Sequence, residues 1–221
     1  LEEGYVEAQV DQPKVFLSPD KRHIFITIHV TEGPQYQLGK VTMRGDFVPE
    51  EGLTQGSVRA LVDGKALRDV QEVFESDKEA GVALDENWVP KVERRWLDFR
   101  GDNTPLRTGD TFKLTTMQAV TQRISDLYGD QGYAFANVVP LPQPDPDSKV
   151  VDLVIDIQKG EKMRIGHINI TGNDPTFDKV VRREIPINEG EVYQGSRIRE
   201  ARERLERLGF FETVEISTPR A

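Results

Sequence analysis

Residues 202–216 read RERLERLGFFETVEI, a helical pattern that runs directly into a strand-like one, with Gly209 and two phenylalanines at the junction. The same glycine-aromatic step occurs at Gly4-Tyr5 and at Gly132-Tyr133. Self-similarity along a chain is the sequence signature of repeated structural units, so these junctions predict one unit written several times. Each glycine is expected to end a helix in a left-handed conformation, and each aromatic residue to fill the core.

A second set of landmarks keeps a constant offset along the chain. The segments HIFITIHVTEG (23–33) and KVVDLVIDIQKG (149–160) alternate apolar and polar residues, as strands with one buried face do, and their closing glycines are 127 residues apart. Each is followed by another strand-like segment, LGKVTMRGD (38–46) and IGHINITGND (165–174), again with an offset of 127 between matching glycines. The constant offset indicates that both pairs belong to copies of one unit.

Helical periodicity accounts for the rest of each unit. Apolar residues recur at steps of three and four, which predicts helices with one apolar stripe facing a sheet. These residues are Met117, Val120, Ile124 and Leu127, then Phe177, Val181 and Ile185, and finally Ile198, Ala201, Leu205 and Leu208. One unit is therefore predicted to run strand, helix, helix, strand, strand. A three-stranded sheet with two helices on one face is a small α+β fold.

The middle unit is about fifty residues longer than the last one. The extra residues fall between Gly45 and Gly109, which are 64 residues apart, whereas the matching Gly172 and Gly190 are 18 apart. Apolar spacing predicts that this insertion is largely helical, with its second helix beginning at Asn87. Its first predicted helix carries Val58, Leu61, Leu67, Val70 and Phe74.

The repeats predict three units. Residues 1–34 form the C-terminal part of one unit, residues 35–161 form a complete unit with an insertion at about 50–104, and residues 162–221 form a unit that lacks its last strand. We therefore expect a fragment of a longer chain. Contacts between consecutive units are expected to be limited to the short connections between them. Both tryptophans, Trp88 and Trp96, lie in the insertion, and they fit either its core or an exposed partner site.

Composition excludes several classes of function. The formal net charge of −9 argues against a nucleic-acid partner, because binding to phosphate backbones needs clustered Lys and Arg. The absence of cysteine excludes disulfides and thiolate chemistry. The histidines, His23, His29 and His167, are placed where they cannot converge, and no catalytic or nucleotide-binding motif occurs. We expect neither enzyme activity nor a cofactor.

Units of about 77 residues with GN closing the first strand, EGE before the second helix and LGFF after it resemble POTRA domains. Residues 168–216 look like the POTRA domain next to the barrel in BamA-type outer-membrane β-barrel assembly proteins. Residues 4–45 look like the end of one such domain and the start of the next. The chain departs from the family pattern at Gly45-Asp46, where Gly-Asn is usual, and at the insertion. Because of the insertion, the sequence does not decide whether the middle unit has the usual first helix.

The resemblance implies a periplasmic arm of the Gram-negative outer membrane with no catalytic role. This arm would receive unfolded outer-membrane β-barrel proteins, dock accessory lipoproteins of the assembly complex and continue into a C-terminal β-barrel in the parent chain. The POTRA region of a two-partner secretion or import pore is an alternative within the same fold. An envelope enzyme with its site in the insertion is an alternative from another class, although the acidic residues of 63–103 are scattered among Lys and Arg.

Two candidate sites complete these expectations. Where the third strand lies between the other two, the strand after a glycine-aromatic junction lies at an edge and can recruit another strand. The candidate pairing edge is Tyr133, Ala134, Phe135, Ala136, Asn137, Val138 and Val139. Replacing Asn137 by proline is predicted to abolish pairing while the domain stays folded. The second site comes from the resemblance, because Arg182 and Glu189 match charged positions where the barrel-proximal POTRA domain docks a lipoprotein.

Overall fold

The computed structural model describes residues 4–5, 9–18, 21–91, 104–173 and 176–218. The first unit contributes four short strands, β1 (Gln9–Val10), β2 (Lys14–Leu17), β3 (Ile24–Thr27) and β4 (Val30–Thr31). β1 pairs with β4 and β2 pairs with β3, both antiparallel. The strand predicted over 23–33 is thus interrupted at residues 28 and 29. Its apolar side chains, Ile24, Ile26, Ile28 and Val30, are all more than half exposed.

The middle unit is built around a three-stranded sheet of β5 (Gln37–Gly45), β6 (Asn137–Asp145) and β7 (Val150–Gln158). β7 lies in the centre, parallel to β5 and antiparallel to β6. Alternate residues of β7 are fully buried, as the period-two pattern predicts, and these are Val151, Leu153, Ile155 and Ile157. This strand order confirms that the third strand of the unit lies between the other two.

The described part of the middle unit contains three α-helices, α1 (Gln55–Val62), α2 (Leu67–Glu79) and α3 (Leu114–Asp130), and a 3-10 turn at Pro49–Glu51 precedes them. α1 begins with a capping box, because the Thr54 and Ser57 side chains each accept the other residue's backbone N–H at 2.9 Å. Gly64 has a left-handed φ of 82° and separates α1 from α2. The prediction of a single helix through this region was therefore wrong.

The α1 region belongs to the core of the middle unit. Leu53, Val58, Leu61 and Val62 are fully buried in one apolar cluster with β7 and α3. α1 thus takes the place of the first helix in the strand-helix-helix-strand-strand order. The inserted residues begin after Val62, and the chain rejoins the unit at Leu106. There the N–H of Leu106 donates to the Val62 carbonyl at 2.9 Å. The boundaries of the three units themselves stay a prediction.

The second predicted helix of the insertion does not begin at Asn87. Asn87 lies in a turn, where its N–H donates to the Asp85 carboxylate at 3.0 Å, and no helix is present up to Lys91. The remainder of this predicted helix, with Trp96, lies outside the described residues.

The last unit contains α4 (Asp178–Glu184) and α5 (Gly195–Arg207), the two helices that the apolar spacing predicts. The segments expected as its strands, 165–173 and 211–218, form no ladder within the described parts of the chain. A groove of about 560 Å³ is lined by both segments and by α4 and α5. In the middle unit β7 occupies the corresponding position and supplies the hydrogen bonds of both neighbouring strands.

Contacts between the middle and last units extend beyond their connection. α3 packs against α5, and the Arg199 guanidinium lies 2.7 Å from the Asp126 carboxylate. The Lys162 ammonium in the connection lies 2.8 Å from the Glu51 carboxylate. The expectation that the short connection provides all the contact was wrong, because α3 ends beside the start of α5. Within the described ranges, no helix combines the length and apolar character that a membrane crossing requires.

Candidate strand-pairing and docking sites

The predicted pairing edge only partly coincides with a strand. Residues 133–136 form a turn in which the N–H of Ala134 donates to Gly132 and the N–H of Ala136 donates to Tyr133. The turn follows because Gly132, with φ of 103°, ends α3 and redirects the chain towards the sheet. Asn137, Val138 and Val139 alone of the seven predicted residues lie in β6.

Tyr133 is a core residue. Its side chain is only 5 % exposed, and its ring lies 6.3 Å from the ring of Tyr128. The ammonium groups of Lys159 and Lys162 lie 5.3 and 5.8 Å from the centre of the ring. Burial, followed by the neighbouring Glu51 carboxylate, raises the pKa of the Tyr133 hydroxyl. The aromatic residue after the glycine therefore plugs the core, as its repetition predicts.

The prolines of β6 all have their backbone nitrogen and carbonyl on the open edge of the strand. Pro140, Pro142 and Pro144 lie within a nine-residue antiparallel pairing with β7. Because proline has no N–H, this ladder requires the odd-numbered residues of β6 to bond to β7. The opposite side of β7 agrees, since the N–H of Gln37 in β5 donates to the Lys149 carbonyl and the N–H of Asp46, just after β5, donates to the Ile157 carbonyl. The backbone N–H and carbonyl groups of the even-numbered residues of β6 therefore point away from β7.

The open edge of β6 is consequently poor in donors. Val138 presents the one N–H on the outward side of this strand, whereas outward carbonyls continue through Pro144. Asn137 has the opposite orientation, and its N–H faces β7. The choice of Asn137 as the position for a disruptive proline was thus wrong, since that substitution removes a bond inside the sheet.

The other edge strand is partly covered. The N–H of Leu38 in β5 donates to the Asp110 carbonyl at 2.8 Å, and the carbonyl of Leu38 accepts the N–H of Gly109 at 2.8 Å. The Thr108 hydroxyl donates to the Gly39 carbonyl at 2.9 Å. The first part of β5 therefore already has a neighbour on its outer side.

The structure brings the predicted docking residues Arg182 and Glu189 together. The Arg182 guanidinium lies 3.0 Å from the Asp178 carboxylate and 4.0 Å from that of Glu189. Glu189 also accepts the N–H of Ile168 at 3.0 Å and lies 2.9 Å from Nδ1 of His167. All four side chains are substantially exposed. We call His167, Asp178, Arg182 and Glu189 the charged cluster.

Electrostatics favour the ionised form of Glu189. The backbone N–H of Ile168 is the largest cause of its lowered pKa, and His167 and Arg182 act in the same direction. The sequence did not indicate His167 as a member of this cluster, because it lies on a different segment from Glu189. The segment 165–173 lies beside the connection between α4 and α5, where the N–H of Gly190 donates to the Ile165 carbonyl at 2.7 Å, and this brings His167 next to Glu189.

Trp88 is buried in the middle unit. Its side chain is 6 % exposed, and its ring meets that of Phe74 edge-on at 5.9 Å. Its Nε1–H donates to the Asp77 carboxylate at 3.0 Å, and its carbonyl accepts the Thr54 hydroxyl at 2.9 Å. Of the two interpretations left open for this residue, the structure supports the core position.

Comparison with known proteins gives the family. The POTRA model, described as surface antigen variable number repeat, matches residues 100–160 and 163–221, which is more than half of the chain. The chain belongs to the POTRA family. The first match covers α3, β6 and β7 of the middle unit, and the second covers the last unit.

Two curated relatives carry the same name. A protein of Nitratidesulfovibrio vulgaris named outer membrane protein assembly factor BamA is 31 % identical over 97 % of this chain. A protein of the same name from Neisseria meningitidis serogroup B is 28 % identical over 96 % of this chain. The chain spans only about a fifth of the length of these relatives, 22 % and 21 %.

A solved structure shows the same fold. The crystal structure of POTRA domains 3–5 of Haemophilus influenzae BamA matches with a TM-score of 0.72 and 24 % identity, covering 97 % of this chain and 67 % of that one. The resemblance to BamA-type POTRA domains and the tandem α+β architecture are therefore confirmed.

Proposed function

We propose that this chain is a periplasmic module of an outer-membrane protein assembly machine. The observation that carries this proposal is the tandem of POTRA units, matched along almost the whole chain by proteins named outer membrane protein assembly factor. That name favours assembly over a secretion or import pore, and a scaffold role without catalysis is part of the proposal. The module works on the periplasmic side of the outer membrane, joined to a β-barrel in the parent chain.

The module receives unfolded β-barrel proteins by strand pairing at the start of β6. Val138 offers both an N–H and a carbonyl on the outward side, next to the turn at 133–136. Beyond Val138 the prolines leave only acceptors. Each main-chain hydrogen bond contributes about 1 kcal/mol net, so pairing at this short stretch is weak and tolerant of many client sequences.

Peptide titration tests this site. Extended alternating peptides taken from β-barrel strands are added to the isotopically labelled 221-residue chain, and amide chemical shifts are followed. We expect perturbation at residues 137–139 and micromolar or weaker affinity. Val138→Pro removes the outward N–H without touching the bonds to β7, so it is expected to eliminate these shifts. Val138→Thr keeps the N–H and serves as the control.

Retained binding by Val138→Pro, with shifts elsewhere in the chain, would show that clients enter by another surface. The assembly role would then stand without this pairing site. The Val138 side chain is only 8 % exposed and belongs to the core, so loss of binding by Val138→Thr would show that the pairing edge depends on core packing at this position.

The charged cluster docks an accessory lipoprotein of the assembly complex. Its paired charges are exposed, and Asp178 and Arg182 are carried by α4, which suits a complementary charged partner surface. Binding of purified accessory lipoproteins to the chain is measured with Arg182→Glu, Glu189→Arg and the double reversal. Weaker binding of each single reversal is expected, and unchanged binding of all three variants contradicts this docking site. Asp147→Lys, a charge reversal in the exposed β6–β7 turn, is the control.

A further inference from the structure

Helix α5 of the last unit lacks a cap from its own chain segment. Its N-cap residue, Gln194, makes no side-chain hydrogen bond to the first turn. The first N–H groups of a helix have no partner within the helix, so they need one from elsewhere. Here the partner comes from the neighbouring unit, because Oδ1 of Asp130 accepts the N–H of Ser196 at 2.6 Å. Asp130 is the last residue of α3.

The same carboxylate is also held from the insertion. Oδ2 of Asp130 accepts a hydrogen bond from Nε2 of Gln71 in α2 at 2.9 Å. Asp130 is only 9 % exposed as a residue, so its hydrogen bonds form largely away from bulk water. One side chain therefore joins three elements, α2 of the insertion, α3 of the middle unit and α5 of the last unit.

Backbone contacts surround this junction. The N–H of Met163 donates to the Gly132 carbonyl at 2.8 Å, and the N–H of Tyr193 donates to the Met163 carbonyl at 3.0 Å. A side chain at Gly132 would approach Val192 Cγ1 to 2.7 Å and Lys162 Cγ to 2.8 Å, so the two units approach each other closely here. The chain thus passes from one unit to the next beside the Asp130 carboxylate.

We infer that Asp130 is a positioning residue that sets the orientation of the last unit on the middle unit, and that Gln71 couples the insertion to that orientation. A carboxylate at a helix N-terminus is stabilised by the N–H groups and by the helix dipole, so it fixes the direction of α5 as well as its position. Gln71 in turn restricts the rotamer of Asp130. The insertion therefore helps to fix the orientation of the last unit, which carries the charged cluster. This inference does not depend on the proposed function.

The test measures orientation directly. Spin labels at exposed Gln143 in β6 and exposed Lys179 in α4 report the distribution of distances between the two units. Asp130→Ala is expected to broaden that distribution. It should also raise the exchange rate of the Ser196 amide by about tenfold or more, because the amide loses a charge-assisted hydrogen bond. Asp130→Asn keeps an acceptor without the charge and should fall between Asp130→Ala and the native chain.

Gln71→Ala is expected to change the same two quantities in the same direction, by a smaller amount. Glu75→Ala lies one turn further along α2 on an exposed position and is the matched control, with no change expected. Protection of the β7 amides verifies that the sheet of the middle unit is intact in every variant. A native distance distribution and native Ser196 exchange in both Asp130→Ala and Gln71→Ala would overturn the inference.

Discussion

The side chain of Trp88 illustrates how one residue ties the insertion to the unit that carries it. Its ring packs on Phe74, its Nε1–H reaches Asp77, and its carbonyl accepts the Thr54 hydroxyl ahead of α1. Trp88→Ala is expected to lower the free energy of unfolding by about 3–5 kcal/mol, because it leaves a cavity at a buried aromatic site. Trp88→Phe keeps most of the ring volume and loses the hydrogen bond, so a loss of about 1–2 kcal/mol is expected.

The neighbouring Val89 supplies the control for this prediction. Its side chain is 60 % exposed, so Val89→Ala should change stability by no more than about 0.5 kcal/mol. Urea unfolding followed by far-ultraviolet circular dichroism measures all three variants. Equal losses for Trp88→Ala and Val89→Ala would contradict a core role for the tryptophan.

At the scale of elements, β6 is an edge strand whose outward positions are occupied by proline. Open edges invite pairing with other chains, and proline is one means of blocking them. Replacing Pro140, Pro142 and Pro144 by threonine adds three outward N–H groups and leaves the bonds to β7 unchanged. We expect the triple variant to self-associate in a concentration-dependent manner in sedimentation velocity and to bind strand peptides about tenfold more tightly.

Leu141→Thr provides the comparison for the proline variant, since residue 141 faces β7 with its N–H and adds no donor to the open edge. It should remain as monomeric as the native chain. If the triple threonine variant also stays monomeric and gains no affinity for peptides, the prolines do not close this edge.

The elements also show which parts of the fold could be predicted. Strong periodicity identified β7, α3 and α5, because their buried residues repeat with the period of the element itself. The turn at 133–136 was missed, since alternation continues through YAFANVV and hides the point where the strand starts. Gly64 is a single break in a helical pattern, and its effect depends on the left-handed conformation that it adopts.

The candidate sites were harder to predict than the elements. Arg182 and Glu189 were found through the family resemblance, and the structure places them 4.0 Å apart. The bond between Asp130 and Ser196 joins residues 66 positions apart and follows no local pattern. Such contacts depend on how units pack, and periodicity describes only how each element faces its own core.

At the scale of the whole molecule, the size of the insertion decides which truncated chains can fold. A deletion of residues 50–104 removes Leu53, Val58, Leu61 and Val62, all fully buried. Full burial of each such side chain contributes about 1.5–3 kcal/mol, and a domain of this kind has only about 5–15 kcal/mol of net stability. We therefore expect the chain with this deletion to lose the cooperative melting of its middle unit.

A shorter deletion should behave differently, because the Val62 carbonyl and the Leu106 N–H are already hydrogen-bonded at 2.9 Å. Replacing residues 64–104 with two glycines joins the chain at this point and retains the buried residues of α1. The deletion removes Val70 of the main apolar cluster, and with it Phe74 and Trp88, which are buried and pack against each other. Each such side chain contributes about 1.5–3 kcal/mol, so a marked loss of stability is expected although the core around α1 is kept. Calorimetry should show one cooperative transition for the middle unit at a lower temperature. The Ser196 amide should exchange faster as well, since Gln71 is absent. A non-cooperative transition in this shorter deletion would show that α2 is as essential to the core as α1.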